Sequence, residues 1–382
     1  MATHPAPLAG SSGQAGLERP VDPERALRQH HWRLFGPRAM KPSTTEPGRI
    51  SEYRDVDAAT FREEIVPGYR PAVLRGLVAQ WPAVQRARTS IQSIGQYLSA
   101  FDKGGAVDVM MMPPHVHGRL FYSDDMRGFN FSRSKASIGE VSDKLLRYAK
   151  FEGRPSLAVQ SALIADCLPG FSNENRLSIL DESVPPRIWL GNSVTTPAHF
   201  DESNNVACVV SGTRRFTLFP PEQIANLYIG PLGHAPTGTP ISLVSLANPD
   251  FERFPRFREA LASALVADLE PGDAIYIPTL WWHHVQSLAK YNILVNYWWK
   301  GHVGVSDSAD TALNCLLHCL LTLKHLPAEH RQVWKTIFDH YVFSASPESV
   351  EHIPPYVRGI LGEISPELAK QVKAFLVTRL QR

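Results

Sequence analysis

The chain has few cysteines, almost no net charge and no long apolar run, and each shortage closes a class of protein. Four cysteines in 382 residues, Cys167, Cys208, Cys315 and Cys319, are too few and too scattered for a disulfide scaffold. Cys315 and Cys319 stand one helical turn apart in an apolar stretch and are expected to be buried thiols, since a zinc site there would need His318 or a distant ligand. A net charge of +2 gives no field for general nucleic-acid binding or for an anionic membrane surface. No apolar stretch approaches the roughly 20 residues that span a bilayer. The first residues lack a basic start followed by an apolar core, so a secretory signal is not expected and a cytoplasmic location is.

Proline is abundant, at 31 residues, which favours loops and strand ends over long helices. Residues 1–48, rich in Pro, Gly, Ser and Arg, read as a flexible leader, with room for a short helix over 23–32 capped by Asp22. Helices are predicted over 58–65 after Asp57, over 90–101 and over 138–151, and strands over 72–75 and 107–112. The centre then changes character. Short apolar or alternating runs over 187–191, 205–210, 214–219, 273–278, 283–287 and 292–299 are separated by turns such as Ser211-Gly212 and Pro271-Gly272-Asp273. They predict a mostly-β antiparallel jelly roll, interrupted by helices starting at Pro221 and over 255–265. Helical spacing returns over 309–324, 329–343 and 366–380, and 347–361 should break at Pro354-Pro355. The domains expected are therefore 1–48, 49–304 and 305–382. The first tail helix is apolar on more than one side, through Leu316, Leu317, Leu320, Leu321 and Leu323, and needs more than one neighbour to cover it.

The chemistry centres on His199 and Asp201 in Thr-Pro-Ala-His-Phe-Asp-Glu and on His283 in Trp-Trp-His-His-Val. One residue separates His199 from Asp201, so in an extended chain both point to one side. Only one of His283 and His284 can face inward, and His283 is in register with Val285. Two imidazoles and a carboxylate form a facial set that leaves half an octahedron open, which suits Fe(II) with a cosubstrate and O2. A hairpin between the strand from His283 and the strand bearing Asn296 and Trp298 would turn both faces inward. His115 and His117 have no carboxylate at ligand spacing and read as loop residues.

With these runs, and with Gly212-Thr-Arg-Arg-Phe-Thr-Leu-Phe-Pro-Pro221, Pro271-Gly-Asp-Ala-Ile-Tyr-Ile-Pro278 and Asn296-Tyr-Trp-Trp-Lys300, the chain resembles the JmjC/cupin-like Fe(II)- and 2-oxoglutarate-dependent oxygenases over about residues 50 to 302. The likeness is greatest to the asparaginyl hydroxylases among them. It implies a double-stranded β-helix with flanking helices, and a homodimer through the C-terminal helices. It places metal ligands at His199, Asp201 and His283, and cosubstrate contacts at Thr196, Asn205, Arg214 and Asn296. The far carboxylate of 2-oxoglutarate needs a cation and a hydroxyl donor, which Arg214 and Thr196 supply; Asn205 and Asn296 can bond the chelating end. Two departures stand out. Arg214 replaces the usual lysine, and a tyrosine that helps hold the far carboxylate is replaced near Ala158, before Gln160.

The activity implied is hydroxylation of a C–H bond in a protein side chain or a small molecule, with succinate and CO2 as coproducts. Trp281, Trp298, Tyr122 and the aromatic segment 121–131 are candidates for an approach groove, with at least half of these aromatics expected in the core, and Asp124 and Asp125 read as solvated loop carboxylates rather than as a site for a cationic substrate. The alternative is a non-catalytic cupin that binds metal or a carboxylate as a sensor or interaction module. The altered cosubstrate pocket speaks for that alternative and the intact ligand triad against it.

Overall fold

The computed structural model describes residues 48–300, 312–344 and 347–381. The expected leader up to residue 47, with its short helix, lies outside the described residues. Fourteen strands are described: β1 (Gly48–Arg49), β2 (Ser51–Arg54), β3 (Ala72–Arg75), β4 (Val107–Met112), β5 (Ser132–Ala136), β6 (Ser156–Leu163) and β7 (Pro186–Gly191), then β8 (Thr195–His199), β9 (Asn204–Ser211), β10 (Arg214–Phe219), β11 (Leu265–Leu269), β12 (Ala274–Ile277), β13 (Trp282–Ser287) and β14 (Asn292–Trp299). They build a five-stranded sheet ordered β1-β11-β10-β13-β8 and a nine-stranded sheet ordered β2-β3-β12-β9-β14-β7-β6-β4-β5. From β7 to β14 the chain crosses between the sheets at almost every step, with β7, β9, β12 and β14 contiguous in the larger and β8, β10, β11 and β13 in the smaller. This alternation is the double-stranded β-helix, and it leaves one barrel interior between the two sheets.

Burial on both sides explains the strand compositions. Every residue of β9 is buried. Its Val206, Cys208 and Val210 pack outward under the helices, while Ala207 and Val209 face the barrel. The outer face of the larger sheet is covered by helices Pro82–Thr89, Ile91–Phe101 and Ile138–Tyr148, which contribute Val84, Ile94, Leu98 and Leu145 to that core. Ser90 caps the second of these, and Ser137 with Glu140 forms a reciprocal capping box at the third. The outer face of the smaller sheet is covered by the insertion between β10 and β11, with Leu227 and Phe257 over Phe219 and Trp282.

Two expectations are corrected here. β13 and β14 do not form a hairpin: β13 pairs with β10 and β8, and β14 with β9 and β7, so the four residues between them cross from one sheet to the other. Both inner faces still meet, because the sheets face each other. The helix predicted over 255–265 is shorter, Phe257–Ala262, and Leu265 opens β11. Ala267 and Leu269 alternate into the barrel there, a period that a short apolar run cannot declare by itself.

The tail holds helices Ala312–Leu323, Ala328–Phe338 and Pro366–Leu380, with short turns over 347–361 that break at Pro354-Pro355. These three helices bury no residue; Leu321 is 78% exposed and Phe343, just past the second, 76%. The expectation of buried thiols fails with them, since Cys315 is exposed and Cys319 half-buried. The first tail helix touches the barrel loop through Ala312 N, which donates to Glu202 Oε2 at 3.0 Å. Among the described residues no helix is long and apolar enough to cross a membrane.

Candidate metal centre

β8 carries the first ligand candidate, and a bulge sets its register. His283 of β13 stands opposite His199, but Val285 stands opposite Thr196, so three steps on β8 match two on β13. Strict alternation would point Thr196 and His199 to opposite faces. The extra residue lets both reach the same interior cavity. Pro197 sits in this bulge, where a missing N–H costs no regular ladder bond. The strand ends at His199, and Asp201 projects from the following turn, whose carbonyl accepts from Leu280 N at 2.9 Å.

His199, Asp201 and His283 offer one ligand atom each, all within 4.8 Å of one another. The imidazole rings lie 4.2 Å apart, centre to centre. Both rings are oriented alike. Nδ1 of His199 meets the Pro197 carbonyl at 2.9 Å, and Nδ1 of His283 meets the Trp281 carbonyl at 3.0 Å. A carbonyl can only accept, so each Nδ1 carries a proton, and Nε2 is the nitrogen of each ring that would meet a metal. Burial, with His283 beside it, pushes the His199 imidazole down to about 4, which keeps it neutral near pH 7. Asp201 Oδ2 lies 3.5 Å from His283 Nε2 and accepts from Trp298 Nε1 at 3.1 Å. Among the described residues this is the single cluster of metal-ligating side chains.

The same cavity, about 50 Å3, contains Thr196, Asn205, Arg214 and Asn296. Asn296 Oδ1 accepts from Trp189 Nε1 at 2.8 Å, and its Nδ2 donates to Asn205 Oδ1 at 3.2 Å. The two asparagines therefore hold each other, and the Asn205 Nδ2 group remains for a guest. Arg214 is 8% exposed, its Nε has no hydrogen-bond partner, and burial lowers its guanidinium to about 10. A buried cation facing no carboxylate is costly, and an anionic guest would relieve that cost. Beyond Arg214 the cavity continues to Ala158 and Gln160, so the two departures from the usual pattern share one end of the barrel.

The structure thus gathers all seven predicted site residues. His284 points away from the cluster and is buried, not exposed, with Nδ1 unpartnered. Trp281 and Tyr122 fall among the aromatics expected in the core and not in a groove: they are 5% and 3% exposed, bonded to the carbonyls of Tyr69 and His234. Asp125 is tied into its own turn by Ser123 Oγ and Arg127 N. His117 ends a short 3-10 turn in the left-handed region. Sequence reasoning missed Trp189, although a tryptophan at inward parity needs a partner for its N–H and so signals a polar group inside.

Half or more of the chain matches one family description, "Cupin-like domain", over residues 58–304, and the chain belongs to that family. Among named relatives, human HSPB1-associated protein 1 is 31% identical over 38% of this chain and 29% of its own length. JmjC domain-containing protein D of Dictyostelium discoideum is 26% identical over 60% of this chain and 52% of its own. Chicken tRNA wybutosine-synthesizing protein 5 is 32% identical over 36% of this chain and 43% of its own. The chain therefore spans about half or less of these relatives.

Proposed function

We propose that the chain is an Fe(II)- and 2-oxoglutarate-dependent dioxygenase that hydroxylates a protein side chain or a small molecule. The observation that carries this is the pairing, in one cavity, of a two-histidine and aspartate cluster with a buried arginine that meets no carboxylate among the described residues. His199, Asp201 and His283 would hold the metal. Arg214 and Thr196 would grip the far carboxylate of the cosubstrate, and Asn205, steadied by Asn296 and Trp189, would bond its chelating end. Held there, ferrous iron and 2-oxoglutarate would supply the reaction with O2 in which one oxygen atom enters succinate as CO2 leaves and the other enters the substrate C–H bond. The apolar wall of Ala207, Phe216, Ile277, Val285 and Leu294 keeps water out.

For the substrate, the likeness of the motifs to asparaginyl hydroxylases favours a protein side chain. The relatives' names span an HSPB1-associated protein and a tRNA wybutosine-synthesizing protein, and the net charge of +2 weighs against an RNA substrate. In this reading the enzyme acts in the reducing cytoplasm, and the exposed tail leucines pair two copies. Light scattering should then give twice 42.5 kDa, and Leu316→Arg with Leu320→Arg should restore the single mass.

Succinate release from 2-oxoglutarate with Fe(II) tests the activity. Turnover should rise when fractionated protein or metabolite extracts are added, and His199→Ala should abolish it. Metal and carboxylate binding with no succinate under any extract would favour a binding module instead.

A further inference from the structure

Trp298 lies on the inward face of β14, two residues past Asn296, and its indole N–H is spent on Asp201 Oδ2 at 3.1 Å. The ring has little freedom. Trp189 meets it edge to face at 6.0 Å, and the Arg187 guanidinium sits 5.8 Å from its centre. Arg187 is itself fixed by donating to the Ser161 carbonyl at 2.9 Å, at the bulge of β6. Asp201, by contrast, stands on a turn beyond the end of β8, and no other side chain donates to its carboxylate among the described residues. Left alone, a carboxylate on a turn rotates freely about its last bond and can offer one oxygen or two.

We propose that Trp298 is a positioning residue that fixes the rotation of the Asp201 carboxylate and so sets how many oxygens it gives to a metal. This rests on the metal centre proposed above. The indole occupies a lone pair of Oδ2 and holds the carboxylate plane, and His283 Nε2 lies 3.5 Å from the same oxygen. The indole takes one of that oxygen's two lone pairs and leaves the other, on the His283 side, for a metal; swinging the carboxylate to present both oxygens would stretch the indole bond. The carboxylate then takes a single place, and the places a cosubstrate and O2 need stay open.

The test uses the metal-free full chain and Co(II), whose visible absorption reports coordination number. The unaltered protein should bind Co(II). Trp298→Phe keeps the ring but lacks the N–H, and should bind it roughly tenfold to a hundredfold more weakly. Its spectrum should shift, and adding 2-oxoglutarate should change that spectrum less than in the unaltered protein. Equal affinity with an identical spectrum overturns the role of Trp298 while leaving the metal centre standing. Absence of Co(II) binding by the unaltered protein overturns both. Should Trp298→Phe fail to fold, indole 15N–1H spectra decide the matter. One indole signal should lie at the low-field position of a carboxylate-bonded N–H and move upfield in Asp201→Ala; if no indole signal moves, the proposal is wrong.

Discussion

Arg214 and Arg215 are neighbours in the chain and live in different worlds. Arg215, on the outer face of β10, makes a two-pronged bond to Asp268 of β11, at 2.7 Å through each of Nε and Nη2, in open solvent. Arg214, on the inner face, is buried and meets no carboxylate among the described residues. The outer arginine has a partner and contributes little, because exposed ion pairs are screened. The inner one lacks a carboxylate partner among the described residues, and burying its charge opposes folding. A buried charge without a partner points to a guest, and Asn205, Asn296, His199 and His283 add further buried polar side chains to the same interior.

Substitutions can break this contrast between interior polar groups that serve a guest and apolar groups that serve the fold. The largest effect should come from Asp201→Ala: divalent metal binding, followed by calorimetry, disappears, while the melting temperature without metal does not fall. A lower melting temperature would mean that the aspartate is structural. Leu218, fully buried on the same inner face of β10 as Arg214, should behave in the opposite way. Leu218→Ala should cost about 2–5 kcal/mol in urea unfolding and act on turnover only through the lost fold. Arg214→Met should raise the KM for 2-oxoglutarate roughly tenfold to a hundredfold, the scale of a lost charge-assisted bond, with no loss of folding stability. The smallest change should follow Arg215→Met, within about 1 kcal/mol and with KM unaltered. If Arg215→Met and Arg214→Met gave equal shifts in KM, the inside–outside distinction would be void.

The same division governs what could be read from the chain. β9, β10 and β14 were legible because two-sided burial writes dense apolar runs bounded by turns. The ligand residues were legible because their types and order are chemically demanding. β5 was not: Ser132–Ala136 is polar and mostly exposed, and it is a strand only because it pairs with β4. β11 was lost to its short period, and the crossing between β13 and β14 to the absence of any local signal for which sheet a strand joins. The bond from Trp189 to Asn296 joins residues 107 apart in sequence, a distance no spacing rule covers. The tail helices were legible as helices, yet what covers their leucines is not written within the chain's own contacts.

The bulge in β8 makes the cavity depend on counting as well as on chemistry. Removing one residue between Thr196 and His199 would leave every named ligand residue in the chain, yet turn Thr196 toward the outside while His199 stayed opposite His283. The hydroxyl offered to a guest could thus be deleted without mutating it. Variation in the length of this strand, and not only in its letters, is a route to a differently lined barrel.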